Sequence, residues 1–86
     1  MEFDKVKRTI VNLLENNGVI VESIEEDIDL RSYSIDSIVF ISFIVDLEQE
    51  FSIAIPDEYL TIGILQSIDG LTNLVIELIN SGLELR

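Results

Sequence analysis

Ile35-Asp36-Ser37-Ile38-Val39-Phe40-Ile41-Ser42-Phe43-Ile44-Val45-Asp46-Leu47-Glu48-Gln49-Glu50-Phe51 contains the most apolar helical pattern in the chain. Phe40, Phe43, Ile44, Leu47 and Phe51 recur at spacings of three and four, which places them on one side of a helix from about Ser37 to Phe51. Ile38, Ile41 and Val45 form a second stripe, too far round the helix to share that core. Asp46, Glu48, Gln49 and Glu50 turn the later part polar. The first two turns are therefore apolar nearly all round. A chain of 86 residues has little material to bury such a helix on both sides, so the second stripe is expected to face a partner.

Helical periodicity continues on either side of this stretch. Phe3, Val6, Ile10, Leu13 and Leu14 define an amphipathic helix from about Phe3 to Asn17, with Asp4, Lys5, Arg8, Asn12 and Glu15 on its other side. Asn17-Gly18 supplies a left-handed stop. From Val19 to Ile35 regularity is lost, and Val19, Ile20, Val21, Ile24, Ile28, Leu30, Tyr33 and Ile35 read as apolar anchors of a long loop. Val19-Ile20-Val21 has no neighbouring run with which to form a hairpin. After Phe51, Pro56 opens a short helix or turn over residues 57–62 that Gly63 limits. Ser67 caps a last helix from Ile68 to about Asn80, with Ile68, Leu71, Leu74, Val75, Leu78 and Ile79 as its stripe and Ser81-Gly82 as its end. The expectation is an all-α domain spanning residues 1–86, with four helices, the third short, and a long loop between the first two.

Composition narrows the function. Hydrophobic residues make up 48% of the chain, which predicts a folded core despite a net charge of -12. Seventeen acidic residues against five basic ones repel phosphate backbones and anionic lipid surfaces and attract basic protein patches, so no nucleic-acid or membrane partner is expected. Without cysteine no disulfide framework can form, and Met1-Glu2-Phe3-Asp4 lacks the features of a secretory signal. The run Ile38 to Val45 is too short to span a bilayer. A soluble cytoplasmic protein, monomeric by expectation, follows.

With neither histidine nor cysteine, the chain cannot pair Ser37 with a histidine base. No acid pair is flanked by substrate-binding polar groups, and a small helical domain offers little concavity, so catalysis is not expected. The acidic loop of Glu22, Glu25, Glu26, Asp27 and Asp29 fails the EF-hand pattern. Counted from Asp27, the ligand position after Asp29 is Arg31, the glycine position is Ser32 and the closing glutamate position is Ile38, so no metal site is assigned. Ser37 at a helix mouth can still be a handle for another enzyme, because the first turn carries unpaired N–H groups and partial positive charge that favour an attached phosphate. Asp36 is placed to cap the helix, to steady the serine hydroxyl or to help position a metal-bound phosphate donor. Capping alone also accounts for an Asp-Ser pair.

Asp29-Leu30, Ile35-Asp36-Ser37-Ile38, Leu47-Glu48-Gln49-Glu50-Phe51, Ile55-Pro56-Asp57-Glu58 and Ser67-Ile68-Asp69-Gly70-Leu71, in that order, resemble an acyl or peptidyl carrier protein. The resemblance covers nearly the whole chain. It implies that a separate magnesium-dependent phosphopantetheinyl transferase attaches 4′-phosphopantetheine from coenzyme A to Ser37, with Asp36 assisting. It further implies that Ile38, Ile41 and Val45 belong to the face met by partner enzymes. A carrier of this kind tethers thioester intermediates at high effective concentration while acyl- or aminoacyl-processing enzymes act on them. Asp46, Glu48, Glu50, Asp57 and Glu58 are candidates for steering basic patches of those partners; each is otherwise a solvated charge. Carriers of dissociated fatty-acid synthases usually have a glycine shortly before the Asp-Ser pair and acids at the second and fifth positions after the serine. Here Ser34-Ile35, Val39 and Ser42 stand instead, which points away from housekeeping fatty-acid synthesis and toward polyketide, nonribosomal peptide or amino-acid activation. The competing reading is a helical adaptor that uses the same apolar face without any arm.

Overall fold

The computed structural model describes residues 2–81, and among them all regular structure is helical. Three α-helices carry the fold: α1 (Glu2–Asn16), α2 (Ser37–Phe51) and α3 (Ile68–Ser81). Short 3-10 turns occupy Leu30–Ser32, Asp57–Tyr59 and Ile62–Leu65.

The core grows from the three predicted stripes. Ile10 and Leu14 of α1, Phe43 and Leu47 of α2, and Ile68, Leu71 and Val75 of α3 are closed to solvent, and Leu30, Ile53 and Leu65 from the connections join them. Leu13, Phe40, Phe51, Leu74 and Ile79 sit half-buried at the edge of the same cluster, while Phe3, expected in the α1 stripe, is half-buried without joining it. Burial of this mostly aliphatic surface drives the assembly.

The stops follow the local chemistry. At the end of α1, Gly18 takes φ +85°, its N–H donates to the Glu15 carbonyl at 3.0 Å, and the Val19 N–H reaches the Leu14 carbonyl at 2.9 Å. This is the Schellman arrangement, with the buried Val19 and Leu14 supplying its apolar contact. At α3, the Ser67 hydroxyl accepts from the Gly70 N–H at 2.8 Å, the cap expected of it. Gly82, the expected stop of α3, lies outside the described residues.

The expected short third helix is corrected to two separate 3-10 turns. Tyr59 and Leu60 donate three residues back, to the Pro56 and Asp57 carbonyls, and the chain then leaves helical space at Leu60 (ψ 60°) and Thr61 (φ -128°, ψ 166°). Six residues behind a proline cannot offset the cost of nucleating an α-helix when tertiary contacts reward a turn instead. Gly63, taken as the limit of this piece, lies inside the second turn. The long loop keeps its predicted character. Val19, Val21 and Leu30 are buried anchors and Ile24, Ile28, Tyr33 and Ile35 are partly buried, but Ile20, expected as an anchor too, is instead 64% exposed, since its neighbours on both sides turn inward.

A buried cation, unforeseen in the sequence, pins this loop. Lys7 of α1 is only 3% exposed; its ammonium lies 2.6 Å from Asp69 Oδ1 on α3 and donates to the Glu26 carbonyl at 3.0 Å. Asp27 continues the bridge, accepting from the Ser67 hydroxyl at 2.8 Å and the Asp69 N–H at 3.1 Å. The Ile68 N–H donates to the Ile28 carbonyl at 2.9 Å. Helix α3 is thus capped by its own serine and by the loop together.

Candidate functional site

Asp36 is the N-cap of α2. Its extended backbone (φ -83°, ψ 176°) lets Oδ1 accept from the Val39 N–H at 2.8 Å, while its carbonyl accepts from the Phe40 N–H at 2.9 Å. Ser37 follows as the first helical residue, and both side chains are exposed. The serine therefore sits on a fixed turn with its hydroxyl open to solvent. The positive end of the helix dipole lies beside it, which suits an attached phosphodiester.

The three aliphatics that had no core to join are on the outside. Ile38 is 77% exposed, Ile41 61% and Val45 43%. From Ser37 to Val45 no charged residue interrupts the helix. Alongside lies a groove of about 440 Å³ lined by Ser37, Ile41, Ile44, Val45, Glu48 and Leu60, among others. Ser37 stands at one end of this groove and Glu48 lies three helical turns farther along it. Phe40 and Ile44, counted as core in the sequence, also touch the groove, and Leu60 reaches it because the 3-10 turn carries it back to α2.

The acidic candidates divide. Asp57 and Glu58 stand exposed in the first 3-10 turn after Pro56, and Glu50 is exposed on α2. Asp46 and Glu48 are half-buried and already engaged. Asp46 Oδ2 accepts from the Asn17 side-chain amide at 3.0 Å, tying α2 to the end of α1, and Glu48 Oε2 accepts from the Ile55 N–H at 2.7 Å. In the acidic loop, Arg31 grips Asp29 through its backbone N–H, Nε and guanidinium, with the closest approach 2.7 Å. That side-chain grip, followed by the Arg31 backbone bond, holds the Asp29 carboxyl below the usual carboxylate range.

The phosphopantetheine attachment site family matches residues 7–75, the part of the chain that runs from α1 through the exposed serine into α3. The chain belongs to this phosphopantetheine-attachment family. Members carry a covalently attached 4′-phosphopantetheine and act as carriers that meet transferases and acyl-processing enzymes, rather than as catalysts. No curated protein and no solved structure matches the chain. The surroundings of the serine fit such a group: a hydroxyl free to be modified, a helix end that tolerates a phosphodiester, and an apolar groove starting at the same residue. Among the described residues no helix is long and apolar enough to cross a membrane.

Proposed function

We propose that this chain is an acyl, aminoacyl or peptidyl carrier whose arm is attached to Ser37. The exposed serine at the capped start of α2, beside an uncovered aliphatic flank, is the observation that supports this most strongly. When bound, the 4′-phosphopantetheine supplies a terminal thiol on which cargo is held as a thioester. The chain's own residues position and present it. Asp36 fixes the first turn of α2 through its bond to Val39, so the attachment point is held in place while a separate transferase delivers the group. Ile38, Ile41 and Val45 offer apolar contact to that transferase and to later partners. Glu50, Asp57 and Glu58 supply the rim charges that steer basic patches, whereas Asp46 and Glu48 can contribute only what their internal bonds leave free. Successive partners must bind and leave, and fast charge-steered encounters with modest contact area suit that traffic.

The absence of charge between Ser37 and Val45, with Val39 and Ser42 where fatty-acid-synthase carriers hold acids, favours a specialised pathway over housekeeping fatty-acid synthesis. Polyketide, nonribosomal peptide and amino-acid activation pathways all accommodate such a carrier. Intact-mass spectrometry after incubation with coenzyme A and a broad-specificity phosphopantetheinyl transferase tests the reading. The expected result is a mass gain of one phosphopantetheine that disappears in Ser37→Ala. If a competent transferase adds nothing to the wild type, the chain is instead an unmodified helical adaptor binding through the same face.

A further inference from the structure

Glu48 organises the chain that leaves α2 at three points. Its carbonyl accepts from the Ser52 and Ile53 amides, the second at 3.1 Å, and its side-chain Oε2 accepts from the Ile55 N–H at 2.7 Å. Ile55 is buried, and Pro56 after it has no N–H to offer. The Ile55 amide is therefore the last main-chain donor before the Asp57–Tyr59 turn, and a carboxylate gives it a charge-assisted bond. That turn delivers Leu60 to one wall of the groove that starts at Ser37. Glu48 itself lines the same groove from α2. One side chain thus belongs both to an otherwise largely apolar groove and to the bond that holds the opposing segment in place.

We infer that Glu48 is the positioning residue of this groove: its bond to Ile55 fixes the 53–60 segment against α2 and thereby sets how well an apolar cargo carried from Ser37 is shielded from water. The inference rests on the carrier reading and extends it. An alkyl chain lying between Ile41, Ile44, Val45 and Leu60 is protected only while Leu60 is held there. Cargo too short to reach past the first turns of α2 gains nothing from the latch.

Three proteins test this: wild type, Glu48→Gln and Glu48→Ala. In the unmodified proteins, Ile55 amide hydrogen exchange followed by NMR should quicken about tenfold in Glu48→Ala and by no more than about threefold in Glu48→Gln, whose side-chain oxygen still accepts. The proteins are then converted to their phosphopantetheine forms, loaded with octanoyl or acetyl groups, and treated with hydroxylamine. Octanoyl thioester cleavage should be severalfold faster in Glu48→Ala than in wild type, and acetyl thioester cleavage the same in all three. Loss of general stability would speed both thioesters alike, and that outcome overturns the proposal. Unchanged Ile55 exchange in Glu48→Ala overturns the latch while leaving the carrier reading intact. Failure of every protein to gain mass overturns the carrier reading and the shielding with it, and the exchange measurement then decides the Ile55 bond alone.

Discussion

Asp27 shows how one exposed side chain can hold distant parts of this chain together. Its carboxylate accepts from the Asp69 backbone N–H and from the Ser67 hydroxyl, joining the long loop to the first turn of α3. Those two bonds, the backbone one foremost, hold its carboxyl below the usual carboxylate value. A carboxyl lowered in the folded state contributes stability that is present above its ordinary value and is lost as pH falls through the folded one. Replacing Asp27 with Asn should therefore lower stability at neutral pH and flatten the acid limb of a denaturation profile taken below about pH 5, a window set by the ordinary carboxylate range. Parallel acid limbs in the two proteins would show that other carboxylates govern the transition. Of these residues, Ser67 was legible as a cap because serine before an apolar stripe is a local signal. Asp27 was not, because its partner lies 40 positions away and nothing in an acidic run marks which member turns inward. Lys7 left a fainter trace: it falls four residues after Phe3 and three before Ile10, within the stripe, so its position called for burial while its charge argued for solvent. Pairing with Asp69 and the Glu26 carbonyl resolves that conflict, since a buried charge persists when it is matched and hydrogen-bonded.

Among the elements, α2 was the most readable and its exit the least. Its bounds at Ser37 and Phe51, its buried Phe43, Ile44 and Leu47, and its exposed Ile38, Ile41 and Val45 all follow from spacing, because two apolar stripes on one helix cannot both turn inward in a small domain. The segment beyond it depends on contacts that periodicity does not record. Ser52 occupies left-handed backbone space at φ 53° and ψ 48°, a conformation that costs most residues with a Cβ, and its N–H closes on the Glu48 carbonyl. Ser52→Gly should relieve that cost and raise stability by about 0.5–1 kcal/mol, less whatever the freer glycine loses in the unfolded chain. A denaturant midpoint at or below the wild-type value would contradict this. Tertiary contact also bears on residues 57–62, read from the sequence as a short helix or turn and counted as the short third helix: Pro56 allows either, and the 3-10 turn over Asp57–Tyr59 leaves Leu60 lining the groove beside α2. The groove was therefore invisible in the sequence, although most of its lining on α2 was named there as core or as outer stripe.

For the molecule as a whole, charge works against compaction. A net charge of -12 on 86 residues, with Lys7 buried against Asp69 and Arg31 committed to Asp29, leaves a surface dominated by carboxylates. Their mutual repulsion is screened over about 8 Å at physiological ionic strength and over about 30 Å in 0.01 M salt. The thermal midpoint should consequently climb by a few degrees when sodium chloride is raised from about 0.01 M to about 0.15 M. A flat or falling dependence would mean that the long-range repulsion is already offset by local pairing. Close to Ser37 the situation differs: the flank from Ile38 to Val45 carries no charge and leaves Ile38, Ile41 and Val45 exposed, so under the proposed carrier role a partner oriented by the surrounding field would find apolar contact there.

The capped first turn of α2 also governs reach. If Ser37 bears the arm as proposed, the Asp36 bond to Val39 holds the backbone of the anchoring turn still, so the searching motion belongs to the serine side chain and the flexible appended chain, whose free end explores every distance up to its extended length. Every enzyme served by such a carrier would then have to keep its reacting centre within that one extended length of the docking plane, whatever the cargo.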